Sequence, residues 1–288
     1  MSCFRNTCIT LIGSTIIISS LILGASEAHG AGFVLGAGAD ADSADGRALS
    51  AFGDFSIADK TWLSATFRKN EIDGVSGRRS TTFADVGIDH WFDPLGVRLS
   101  ASYWGDKDIL HSADLGASLY YRDESFMFSA NYERREFDFT VLSDFPALSR
   151  TVEFSADGIG ISSRFPLGEN SSFHVGGIAY DYSRDIRLQP DIDALRFLSF
   201  SRMSMMNSLI DHQVNAGVEF RFGLRALDFT AGSWQTAVDG GRVDSYSVGF
   251  LTPVSERTDL EFRFSFDDSE NFGQTTAVSV YLYYFGGT

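Results

Sequence analysis

The chain has 288 residues, 44% hydrophobic and 14% aromatic, with a formal net charge of −15 at pH 7. That acidity argues against nucleic acid as a partner, because phosphate binding needs a basic surface, and against a face that seeks anionic lipid. Both cysteines, Cys3 and Cys8, lie among the first 30 residues, so a chain processed there keeps no disulfide, thiol nucleophile or Cys-based metal site.

Residues 1–30 read as a secretory signal. Arg5 supplies the positive charge, and Ile9–Leu23 is apolar but interrupted by Thr10, Ser14, Thr15, Ser19 and Ser20. A small-residue exit follows at Ala28-His29-Gly30 or Ser26-Glu27-Ala28. The competing uncleaved anchor is disfavoured, because the run is laced with hydroxyls and short against the roughly 20 residues of a spanning helix. Removal leaves the charge at −15, since Arg5 and Glu27 cancel, and leaves 31–288 as one domain.

From Phe33 to Phe285 the hydrophobic pattern has a period of two, as in strands with one face in an apolar medium and one in water. Fourteen strands are expected, near 33–39, 47–57, 60–69, 80–92, 96–105, 109–122, 125–137, 151–165, 171–187, 210–222, 225–237, 242–253, 257–267 and 275–285, with 12 or 16 as the neighbouring even counts. Val97, Leu99, Ala101 and Tyr103 oppose Arg98, Ser100, Ser102 and Trp104. Leu260, Phe262, Phe264 and Phe266 oppose Asp259, Glu261, Arg263, Ser265 and Asp267. Segments 151–165 and 171–187 alternate less cleanly, with Gly and Ile on the nominally wet side.

The connections carry a second regularity. Tight ones fall at Ala58-Asp59, Asp93-Pro94-Leu95, Asp123-Glu124, Pro166–Asn170, Gly223-Leu224 and Val254–Glu256. Mostly longer, acidic or Gly-rich ones fall at Asp40–Gly46, Asn70–Arg79, Asp138–Arg150, Leu188–Leu209, Thr236–Gly241 and Asp268–Gln274, with Asp106-Lys107-Asp108 the short exception. In an up-and-down meander these two sets lie on opposite rims. All five prolines sit in connections or at a strand end, where no ladder donor is lost. A soluble β-sandwich is the competing architecture. The parity of the connections favours a closed barrel, which also removes unpaired strand edges.

The last strand, Val278 to Phe285, places Tyr281, Tyr283 and Phe285 in alternation and resembles the carboxy-terminal signal of outer-membrane barrels, although Gly286-Gly287-Thr288 follow it. With the export signal and the short-turn, long-loop parity, the chain resembles a porin-like bacterial outer-membrane β-barrel, with no specific family selected. The resemblance implies an all-β, closed, up-and-down antiparallel transmembrane β-barrel in the bacterial outer membrane. Its implied surroundings are outer-membrane lipid and lipopolysaccharide, and it would be inserted by the barrel-assembly machinery. Porin-like barrels often associate through their lipid faces, so a homo-oligomer belongs to the same expectation. Whether Tyr281, Tyr283 and Phe285 or Val280, Leu282 and Tyr284 face lipid stays open at this level.

If the apolar faces meet lipid, the other faces line a lumen. The wall positions expected are Arg68, Asp85, Asp89, Arg98, Asp114, Arg122, Glu133, Arg135, Glu153, Asp157, Glu219, Arg221, Asp228, Asp259, Glu261 and Arg263, joined by Asp54, Asp211 and Asp267. Acids outnumber arginines about two to one, and an acidic excess favours cations. For any single residue the plainer role is pairing across strands. Eight strands leave a filled interior and 16–18 leave an aqueous channel, so fourteen makes openness depend on what folds inward. Leu188–Leu209 is the candidate, with Leu195, Phe197, Leu198, Phe200, Arg202 and Met205 as the expected constriction loop; the alternative is packing above the membrane on neighbouring loops.

Asp40, Asp42, Asp45 and Gly46 miss the EF-hand spacing and read as a solvated acidic loop, so neither metal nor cofactor is expected. Asp89-His90 and Asp211-His212 are strand neighbours, expected to point to opposite faces and so not to meet. An outer-membrane lipid hydrolase drawing on Ser102 or Ser208 is the weakest reading. The leading expectation is no enzyme but a passive channel for small hydrophilic solutes, mildly cation-preferring. Its rival is a structural or surface-interaction barrel with a plugged lumen.

Overall fold

Fourteen strands close on themselves in a computed structural model that describes residues 32–74, 77–106, 110–123, 126–141, 150–184, 209–271 and 273–287. They are β1 (Phe33–Asp42), β2 (Gly46–Ala58), β3 (Thr61–Gly74), β4 (Gly77–Trp91), β5 (Leu95–Asp106), β6 (Leu110–Arg122), β7 (Met127–Val141), β8 (Arg150–Gly168), β9 (Ser171–Tyr182), β10 (Ile210–Phe222), β11 (Arg225–Thr236), β12 (Arg242–Ser255), β13 (Thr258–Ser269) and β14 (Gly273–Gly286). Each pairs antiparallel with its chain neighbours, and β14 returns to β1 in a register running from Phe33↔Gly286 to Asp42↔Ala277. Closure leaves no strand edge for hydrocarbon to strand without partners. The expected architecture and strand count are therefore observed. The export-signal reading of 1–30 lies outside the described residues.

One face of every strand is greasy and exposed. Leu49, at 68% exposure, Val86, Leu99, Leu115, Phe262 and Phe264 stand on it. Aromatic girdles flank this belt. Phe33 packs on Phe55 and Tyr284, and Phe165 on Phe126 and Phe173, at the short-turn rim. Tyr246 meets Phe266, and Tyr103 meets His111, towards the loop rim. Such girdles mark the two interfaces of a transmembrane barrel. The open question on the last strand is settled by burial: Val280, Leu282 and Tyr284 are outside, and Tyr281 and Tyr283 are inside.

Spanning needs about 9–11 tilted residues per strand, whereas β7 has 15 and β8 has 19. The surplus continues beyond the belt as paired sheet. Accordingly, the connections expected at Asn70–Arg79 and Asp138–Arg150 are shorter, because β3, β4, β7 and β8 extend into them. There the outer face is charged: Lys69 Nζ lies 3.0 Å from Glu71, His111 Nε2 3.0 Å from Asp138, and Arg134 Nη1 2.7 Å from Asp157.

This protrusion corrects two expected wall positions. Glu153 and Asp157 share the outer face of β8, while Phe154, Ala156, Gly158 and Gly160 turn inward. Asp157 accepts a hydrogen bond from the Tyr132 hydroxyl at 2.6 Å, outside the barrel. A charge above the lipid has no reason to hide, so polarity stops reporting the inner face. Exposed ion pairs of this kind add little. Arg134→Ala should leave the urea midpoint of the detergent-folded protein where it was, read by intrinsic fluorescence.

Asp211 is a third correction. A register irregularity between Ile210 and His212 throws Asp211 outward, and its Oδ2 lies 2.8 Å from His212 Nδ1. The two side chains were expected not to meet; the bulge breaks the alternation and lets them. Asp89 and His90 do diverge. Asp89 accepts the Tyr120 hydroxyl inside at 2.7 Å, and His90 Nδ1 pairs with Thr61 Oγ1 at 2.7 Å outside.

Candidate functional site

The candidate site is the inward wall. Arg68, Asp85, Asp89, Arg98, Asp114, Arg122, Glu133, Arg135, Glu219, Arg221, Asp228, Asp259, Glu261 and Arg263 all project from inward positions, as do Asp54 and Asp267. The expected constriction residues Leu195, Phe197, Leu198, Phe200, Arg202 and Met205, and Ser208, lie outside the described residues.

Most of the charge is spent along the wall itself. On β13, Arg263 Nη2 donates to Glu261 at 2.8 Å, two residues away on the same strand face, and Nη1 lies 3.4 Å from Asp228 on β11. The Tyr283 hydroxyl completes Glu261 at 2.6 Å. At the closing seam, Arg68 Nη2 lies 3.1 Å from Asp40, which also accepts the Tyr281 hydroxyl at 2.7 Å. Arg68 Nε donates to Asn70 at 2.9 Å, and Asn70 donates onward to Thr81 at 3.0 Å. Glu219 is held by Arg164 at 2.6 Å and Arg221 at 2.5 Å.

The tightest of these groups surrounds Arg135, which is 0% exposed. Its Nε lies 3.4 Å from Asp114 and 3.6 Å from Glu133, and its guanidinium covers the rings of Phe137 and Tyr180 at 4.9 and 5.7 Å. Tyr180 in turn donates to Glu133 at 2.7 Å. Each bond named here joins strands no more than two apart in the cylinder.

Large rings are laid flat by glycine. Tyr281 lies over Gly38, Tyr120 over Gly96 and Tyr180 over Gly158, close enough that a Cβ at any of the three would enter the ring. Removing the Cβ from the neighbouring strand makes a bed for the ring, which would otherwise stand out into the lumen.

The run expected as a solvated acidic loop is divided: Asp40 is buried on β1 at the closing seam, and Asp42 closes the turn that follows. Asp42 Oδ1 accepts the amides of Ala44 at 2.9 Å and Gly46 at 2.7 Å, an Asx-type closure.

Sequence reasoning put Trp104 on the inward face but missed the apolar band it belongs to at the loop ends of β5–β12, where it packs with Leu110, Phe137, Phe154, Ile178, Trp234 and Val243 in one buried cluster. Counting by two from Arg135 reaches Phe137, and that parity was the available signal.

No protein-family model and no curated protein matches the chain. Among solved structures, CymD, a monoaromatic hydrocarbon channel, superposes with a TM-score of 0.56 at 10% identity, covering 90% of this chain and 88% of that one. The loop-L8 deletion mutant of OmpT, an outer membrane protein of Vibrio cholerae, gives 0.49 at 7% identity over 89% and 99% of the two chains. Pseudomonas aeruginosa OpdK with vanillate gives 0.45 at 9% identity over 90% and 98%. At these identities the likeness to CymD shows the fold. That fold is a closed, fourteen-stranded antiparallel β-barrel.

Proposed function

We propose that the chain is a passive outer-membrane channel for small hydrophilic solutes, with a mild preference for cations. The observation that carries this reading is how the wall treats its longest side chains. Inward Arg68, Arg135, Arg221 and Arg263 are tied to carboxylates on their own strand or within two strands, and Tyr120, Tyr180 and Tyr281 lie on glycines. A barrel that plugs itself with its own side chains has no need to pin them sideways. Cation preference follows from the acidic excess among inward charges. The same reading includes a removable signal at 1–30, the barrel-assembly machinery, a lipopolysaccharide leaflet and association through lipid faces.

Purified full-length barrel in a planar bilayer tests it. Steady ohmic steps are expected, and under a KCl gradient the reversal potential should carry the sign of potassium preference. A folded, heat-modifiable protein that gives no steps would reject the channel, and a chloride-signed potential would reject the preference.

A further inference from the structure

Charges that are already paired contribute little field to a passing ion, so the acids that set selectivity are those the wall leaves without partners. Asp40, Asp114, Glu133, Glu219, Asp228 and Glu261 each contact a guanidinium. Asp54 on β2 and Asp85 on β4 differ. Among the described residues neither makes a hydrogen bond or a contact ion pair, and Arg98 is the cation whose field both feel. The two flank β3, with Asp54 opposite Ser64 and Asp85 opposite Thr66.

Arg98 lies between them. From β5 its Nη2 donates to Ser64 Oγ at 3.2 Å, and a Cβ on the intervening Gly87 would come 3.3 Å from that nitrogen. The guanidinium therefore crosses β4 flat against the sheet. The wall around it is unusually low. Ser64, Gly87, Ser100 and Gly116 follow one another in register across β3 to β6. Asp54, Asp85 and Arg98 are themselves half-buried, unlike the fully buried Arg135 and Arg263 groups.

We propose that Asp54, Arg98 and Asp85 form the selectivity element of the lumen: two carboxylates sharing one guanidinium, with a net negative charge left for the solute. This rests on the channel reading given above. The arrangement works in both directions, since removing the acids takes two negative charges from this patch and removing Arg98 unmasks both acids.

The test is bilayer reversal potential under a KCl gradient for the full-length protein, with compactness checked by heat-modifiable migration. D54N/D85N should lose cation preference and move toward chloride, whereas R98Q should shift further toward potassium. D157N, whose carboxylate lies on the outer face of β8, should stay within a small fraction of the wild-type shift. Wild-type selectivity in a folded, conducting D54N/D85N barrel overturns the assignment and leaves the channel standing. A D157N change as large as that of D54N/D85N also overturns it, because selectivity would then follow summed surface charge and not this element. A folded wild type without current steps removes the channel and this element together.

Discussion

Replacing Arg135 with methionine should cost the folded barrel about 3–5 kcal/mol, the usual loss when one partner of a buried ion pair is removed. The guanidinium is fully enclosed and lies between Asp114 and Glu133, so its loss leaves two carboxylates facing each other with no cation between them. Methionine fills much of the volume and keeps contact with Phe137 and Tyr180, which separates the charge effect from a cavity effect. Urea unfolding in detergent, followed by intrinsic fluorescence and by the heat-modifiable gel band, reads the loss. A triple variant, Asp114→Asn, Glu133→Gln and Arg135→Met, should recover most of it, because neutral groups no longer need the cation. Water reaching the carboxylates would make the single change as mild as at a surface pair, within about 1 kcal/mol, and the enclosed-network account would fail.

Arg135 was legible as an inward residue because β7 keeps strict alternation from Ser129 through Glu133. The same rule misplaced Glu153 and Asp157. Within the lipid belt, polarity and inward orientation coincide, since hydrocarbon excludes charge. Above it the outer face is wet, and the inner face becomes the more protected one, so Phe154 and Ala156 turn in and their charged neighbours turn out. The pattern inverts along one strand without breaking period. Nothing in composition marks the height at which this happens. Asp211 failed for a different reason, a local bulge that shifts parity by one residue.

Partner assignment was harder to read than orientation. Sequence alone put Asp54, Asp228 and Glu261 in one class of acidic wall residue. The i, i+2 spacing of Glu261 and Arg263, or of Glu219 and Arg221, does signal a same-face pair on one strand. Reaches such as Arg263 to Asp228 or Arg68 to Asp40 pass over one intervening strand and depend on register. Register is fixed by the turns and by which face is greasy, so these pairs appear once the cylinder is closed. The electrostatics of the lumen is thus a property of the closed sheet.

Gly38→Leu should destabilise the seam where the last strand meets the first by roughly 2.5–6 kcal/mol, combining about 1–3 for overpacking with about 1.5–3 for a broken bond to a charged group. The Tyr281 ring occupies the space a Cβ would need, and the new atom would also lie 2.7 Å from Ser50 Oγ. Tyr281 has little freedom to yield, being 2% exposed and bonded to Asp40. Moving it also disturbs Arg68, and through Asn70 the chain of bonds to Thr81. The damage therefore spreads from β14 across β1 and β3 to β4. A double-mutant cycle isolates the ring as the cause: in a Tyr281→Ala background the same leucine should cost far less, because it now fills space the ring has left. Equal costs in both backgrounds would mean that the backbone, and not the ring lying on it, demands glycine at this position.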